Sequence, residues 1–293
     1  MSRAAAALLF LLPAAAWAGA GTPPKPPGAL DAVFSYCSPE GFISRRTELR
    51  GTSALGRAGG MAFRTETSLT HIRTIENGYF PPELYKTALL LTAEDRTTRL
   101  SVNLNSDSDK PFYSPAETDL GFNFSRTFSE HGAHAWIFVL NYSTRRTFAR
   151  SVPLPFITYR YASKDLFFLF PFLARWQASR NLSFSASYHP VKYYKLSAHW
   201  RRSPEFSVVL EGGAGLEQFL PAGRPQKGSA LYYETSFVSL KPELVLAERL
   251  RLGAALGWQF RGMYYTGRTY NDYQAKTRIG GGPCAGLSAG YSF

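Results

Sequence analysis

No stretch of this 293-residue chain beyond its first 20 residues is long and apolar enough for a membrane-crossing helix. The longest candidate, "LFFLFPFL" at 166–173, is broken by Pro171, and a spanning helix needs roughly 20 residues. A helical membrane protein is therefore excluded. Methionine is scarce, and few segments have the Ala/Glu/Lys/Leu periodicity of long helices. Cysteine occurs only at Cys37 and Cys284, too few for a disulfide framework or a cysteine metal cluster. The five histidines (His71, His131, His134, His189 and His199) show no metal-ligand spacing such as H-E-x-x-H, so neither a metal nor a cofactor is expected. No G-x-S-x-G elbow is present either. These absences point away from an enzyme. A membrane-embedded lipid hydrolase built on a Ser–His pair stays as an alternative, because serine is abundant.

Aromatics make up 15% of the residues, mostly Phe and Tyr, which suits strands and membrane interfaces. The net charge is +12. The chain opens with Arg3, an apolar run from Ala4 to Ala16, and small-x-small triplets ending at Ala18 and Ala20, the pattern of a secretory signal peptide over 1–20. For an exported protein, anionic lipid headgroups or small anionic solutes are expected partners, and nucleic acid is not. Residues 21–29 form a Pro-rich lead-in, and 30–293 are expected to be one barrel domain.

From Leu30 onward, period two dominates. Leu250, Leu252, Ala254, Leu256, Trp258 and Phe260 alternate with Arg249, Arg251, Gly253, Ala255, Gly257, Gln259 and Arg261. Leu182, Phe184, Ala186 and Tyr188 alternate with serines, and Leu120, Phe122 and Phe124 with small polar residues. Short turns, as at 94–96, 130–132 and 247–249, alternate with longer connections at 106–116, 145–153, 221–228 and 263–283. A membrane barrel shows this rhythm, with short periplasmic turns and long external loops. Taking 153–177 as one long strand gives 14 strands; splitting it once gives an odd number, and 12 results if Phe42 to Arg50 joins a neighbour. The predicted fold is an all-β, closed antiparallel transmembrane barrel of 12–14 strands. The stripes are long for the rival soluble sandwich, and aromatics cluster near their ends. Pro171 is expected to mark a bulge. An inward apolar wall of Phe167 and Leu169 is the competing reading, as a track for a hydrophobic solute.

The chain finishes in "LSAGYSF", with Leu287, Ala289, Tyr291 and Phe293 apolar on alternate positions. It resembles the bacterial outer-membrane β-barrel proteins, whose last strand ends in Phe after alternating hydrophobics. That resemblance implies an outer-membrane location, a lipid and lipopolysaccharide environment, and recognition of Leu287, Tyr291 and Phe293 by the barrel-assembly machinery. "WIFVLNYS", "ITYRY" and "SASYHPVKYYKLSAHW" are similar, more loosely, to motifs of a barrel family whose domain has no assigned function, which implies no activity.

Cys37 closes the first strand candidate and Cys284 opens the last. Antiparallel closure would bring them together at one rim, where an oxidising compartment permits a disulfide. If the apolar stripes meet lipid, Arg64, Arg249, Arg251 and Arg261 face the lumen, with Glu66 and Glu211. Such a lumen is expected to form a passive pore for small solutes with a mild anion preference. The alternative is an Arg–Glu network sealing a structural or surface-binding barrel.

Overall fold

Strong β-formers at every second position cannot bury a helical face, so each segment must find partners edge to edge. The computed structural model describes residues 28–76, 78–145, 150–189, 191 and 193–293. The expected signal peptide and most of the expected Pro-rich lead-in lie outside them. The described residues form a single 17-segment antiparallel sheet without helices. Its strands are β1 (Gly28–Cys37), β2 (Phe42–Ala58), β3 (Met61–Glu76), β4 (Glu83–Glu94), β5 (Thr98–Ser108), β6 (Asp119–His131), β7 (His134–Ser143), β8 (Leu154–Ala162) and β9 (Leu166–Phe170). They continue with β10 (Leu173–Gln177), β11 (Leu182–His189), β12 (Tyr193–Arg201), β13 (Phe206–Phe219), β14 (Ala230–Leu246), β15 (Leu250–Gly267), β16 (Gln274–Ile279) and β17 (Gly282–Ser292).

Segments β16 and β17 both pair with β15 and are one barrel strand, interrupted at Gly280–Gly281. Each strand pairs with its neighbours in sequence, and β17 returns to β1, so the barrel closes with 16 strands. Closure leaves no free sheet edge at the seam. The ladder runs from Ala29 opposite Ser292 to Cys37 opposite Cys284, and beyond it Gly28 and Phe293 exchange both backbone hydrogen bonds at 2.9 Å.

The expected 12–14 strands are corrected to 16. Residues 153–177, taken as one strand, make three: β8, β9 and β10. The chain turns at 163–165 and again at Pro171–Phe172, where the Phe172 N–H donates to the Leu169 carbonyl at 2.7 Å. Pro171 therefore sits in a hairpin tip and not in a bulge. Two reversals keep the parity even, which one would not.

Register fixes the face of every side chain. Leu30, Phe34, Leu89, Leu91, Leu104, Ile157, Leu196, Leu210, Leu240 and Leu256 point outward and are exposed. Trp136, Trp176, Trp200, Trp258, Tyr188, Tyr194 and Tyr291 are exposed with them. One rim has tight turns, as at 59–60, 132–133 and 247–249; the other carries the longer connections, including 109–118 and 220–229. Gly59, Gly60 and Gly132 supply the positive φ values that two of these tight turns require.

Candidate functional site: the barrel interior

Toward the long-loop rim, the inward positions of β2–β4 and β13–β16 are not polar. Phe42, Ile72, Leu84, Phe219, Leu231, Tyr264 and Ile279 meet there, together with Phe80 from the 77–82 connection. Leu84 and Tyr264 are fully buried. Phe80 packs edge-on against Phe42 and Tyr264, both with ring centroids at 5.2 Å, and Tyr233 stacks on Phe42 at 5.4 Å. Apolar side chains facing a water-filled lumen would gain nothing, so they collapse on one another and fill this part of the barrel.

Beneath this plug lies a charged belt. Arg46 of β2 donates to Glu217 of β13 at 2.6 Å, and Lys86 of β4 reaches the other carboxylate oxygen at 3.2 Å. Strands β2 and β13 are not sheet neighbours, so these ion pairs cross the interior. The walls also touch at the long-loop rim: the Leu220 N–H donates to the Asp107 carbonyl, and the Ala222 N–H to Asp109 Oδ1, both at 2.7 Å. The lumen is thereby pinched between β5 and β13, with the apolar plug on one side.

The other side, bounded by β5–β13, is polar along β5, β6, β11 and β12, while Phe156, Phe167, Leu169 and Leu173 face inward from β8–β10. Asn103, Asn105, Asn123, Ser125 and Asn141 point inward from β5–β7, with Ser183, Ser185 and Ser197 from β11 and β12. Asn141 donates to Asn123 at 2.6 Å, and the Ser185 and Ser197 hydroxyls are 2.7 Å apart. Gly121 stands opposite Asn103, whose amide occupies the space a Cβ at Gly121 would take. Most of these groups stay partly exposed, as polar groups that still reach water do. Glu211 is buried between Lys195, at 3.0 Å, and Lys241.

The long loops interlock above. Glu117 is fully buried and accepts from Arg224 at 2.8 Å, Lys227 at 3.3 Å and Ser114. Burial pushes its carboxyl upward, but the hydrogen bonds from Ser114, Lys227 and Arg224 outweigh this and hold it below the usual carboxylate range. Arg224 also donates to the Ala116 carbonyl at 2.7 Å, and Arg145 to that of Pro115 at 2.7 Å.

The four arginines expected in the lumen divide. Arg64 faces inward, 3.3 Å from Glu66, and Arg251 faces inward at the seam, 3.0 Å from Asp31. Arg249 lies in the 247–249 turn and belongs to the rim. A register shift opposite Ser236 takes Arg261 out of the inward row, because Gln259 and Gly262 hold the inward positions on either side. The sulfurs of Cys37 and Cys284 are bonded, with Cα atoms 4.1 Å apart, at the end of the closing ladder. Leu287, Tyr291 and Phe293 are exposed on or just beyond β17, and the Phe293 ring covers Gly28. Ser183 and His199 stand opposite each other on inward positions, and no hydrogen bond joins a serine to a histidine among the described residues.

Sequence reasoning missed the plug and the cross-barrel belt. A signal was present: in "QFL", "ALYYE" and "MYYTG" alternation stops and both faces become apolar.

No family model matches the chain, and no curated protein matches it in sequence. Among solved structures it is similar to an outer membrane channel from Pseudomonas putida F1, at 11% identity and a TM-score of 0.40, over 93% of this chain and 97% of that one. It is also similar to the outer-membrane OmpT of Vibrio cholerae, at 8% identity and a TM-score of 0.38, over 92% and 97%. The NanC porin is similar at 7% identity and a TM-score of 0.32, over 89% and 98%.

Proposed function

We propose that the chain is an outer-membrane barrel that passes small polar solutes through the asparagine- and serine-lined half of its lumen. The exposed outward belt of leucines, flanked by Trp and Tyr, supports a bilayer setting with outer-membrane lipids and lipopolysaccharide around it. Leu287, Tyr291 and Phe293 are the residues proposed to be read by the barrel-assembly machinery.

One observation carries the pore reading: the inward Asn and Ser residues stay partly exposed while an apolar cluster fills the opposite half of the lumen toward the long-loop rim. Arg99, Arg160, Arg175, Lys195 and Arg201 face this half, and so do Asp107, Asp119, Glu130 and Glu211. These charges nearly balance, so the passage discriminates weakly between ions of opposite sign. The anion preference expected from the arginine row is correspondingly small, since Arg251 is paired and Arg249 and Arg261 lie outside the row. No chemical step is involved.

The apolar plug and interlocked loops favour a second reading, a sealed barrel with a structural or surface-binding role. Planar-bilayer recording of the purified, folded protein separates the two. Small, weakly selective current steps are expected; a folded barrel without current would leave the sealed reading.

A further inference from the structure

The wall is uneven beside the polar half. Hairpin β9–β10 is so short that its ladder with β8 covers only Tyr159 to Ala162. Leu154 to Thr158 have no ladder partner on that side among the described residues. The gap lies at apolar depth. On its other side β8 is fully paired with β7, where Ile157 stands opposite Phe138 and Pro155 opposite Leu140. Phe138 and Leu140 are the middle of a lipid-facing row that begins at Trp136 and ends at Tyr142.

Unpaired backbone at that depth is costly unless it borders a cavity or is otherwise relieved. Here the exposed edge is short of donors. The Ala162 N–H points to β7, donating to the Ala133 carbonyl at 2.8 Å. By alternation, Tyr161, Tyr159, Ile157 and Pro155 turn their backbone groups toward the hairpin. Pro155 has no N–H to leave unpaired, and Pro153 stands two residues before it. Below them the Thr158 hydroxyl caps the Phe170 carbonyl where the ladder ends. Prolines at these positions mark an edge built to stay open.

The lining is apolar on both sides of the wall. Ile157 and Phe170 are 60% and 57% exposed on the outer surface. Inside, Leu154 and Phe156 face the lumen from β8, with Leu169 and Leu173 from the hairpin. Phe172 at the tip packs edge-on to Phe156, with centroids 5.7 Å apart. Apolar surface thus runs around the hairpin tip from lipid to lumen, whereas β5, β6 and β11 present asparagine and serine inward.

We propose that this gap is a lateral portal through which a hydrocarbon chain from the surrounding bilayer enters the lumen. The proposal deepens the pore reading and rests on the barrel standing in a bilayer. An acyl chain is the occupant because the bilayer supplies it at this depth, and because Phe156, Leu169 and Phe172 offer a polar solute no hydrogen bond.

The test uses the full chain in phosphatidylcholine vesicles, with the photoreactive residue p-benzoyl-phenylalanine placed singly at Phe138, Asn123, Phe156 or Leu169. Intact-mass spectrometry after irradiation reads the acyl-chain adducts. Adducts are expected at the outward position 138 and the inward positions 156 and 169, about tenfold above the inward polar position 123. Leu169→Lys is expected to cut the adduct at 156 about fivefold. Adducts at 138 with none at 156 or 169 would overturn the portal. Current without inward adducts rejects the portal and keeps the polar passage. Inward adducts without current do the reverse, and no adduct at 138 removes the bilayer setting on which both depend.

Discussion

Arg46 Nη2 lies 2.6 Å from Glu217 Oε2 and ties β2 to β13 across the barrel interior. Lys86 shares the same carboxylate at 3.2 Å, so one anion holds two cations from different strands. Glu217→Gln preserves shape but removes the charge both cations need. It is expected to lower unfolding stability by about 2 kcal/mol, as loss of a charge-assisted network does. It also leaves two uncompensated cations at the pinch, so reversal potentials should move toward anions. Urea titration in detergent and bilayer recording read the two effects, and an unchanged midpoint would show that the belt is not holding the walls.

Tyr264 has no exposed surface and touches Phe42, Tyr79 and Phe80 with its ring. Tyr264→Ala should cost about 3 kcal/mol through the cavity it leaves. Because that cavity sits in the apolar plug, single-channel conductance is expected to rise. A folded variant with unaltered conductance would mean that the plug lies outside any route of flow.

The Cys37–Cys284 bond is at the long-loop end of the seam. Replacing both cysteines with serine should lower the unfolding midpoint, with a loss of about 2–4 kcal/mol for a cross-link closing a long loop. Conductance should stay as in the parent, since neither residue borders the polar half. A matched midpoint for oxidised and reduced protein would count against the cross-link's role in stability.

Glu117 answers to pH. Its carboxyl is held below the ordinary range by Ser114, Lys227 and Arg224, so the unfolded loop takes up a proton at higher pH than the folded one. The stabilisation is complete above the ordinary carboxylate range and is lost as pH falls through the lower, folded value. Hydrogen exchange in 109–118 and 220–229 is therefore expected to quicken as pH drops below the carboxylate range, after correction for the intrinsic rate. Glu117→Gln should reproduce the loosening at neutral pH, and equal protection in parent and variant would contradict the assignment.

Much of the fold is legible in the sequence because period two has one physical meaning here: Leu250 to Trp258 cannot place its leucines on lipid unless Arg251 and Gly253 face inward. The strand number is not legible, since in "LFFLFPFLARW" both faces are apolar and no polar residue marks the reversal at Pro171. The same ambiguity hid the plug. Phe219–Leu220 and Tyr264–Tyr265 break alternation because one residue fills the lumen while the next is covered by loops, and an expectation of polar interiors cannot foresee that. Strict alternation puts Arg261 inward and the structure does not, because a single extra residue in a ladder inverts every face beyond it, and nothing local in "WQFRGM" announces the insertion.

A closed sheet has a place where it unzips, ordinarily the rung between its first and last strands. Here the Cys37–Cys284 bond rivets one end of that rung, and the paired backbones of Gly28 and Phe293 hold the other only by hydrogen bonds. Fraying must then start from the turn rim and stop at the rivet, while the whole span between the cysteines remains one covalent hoop.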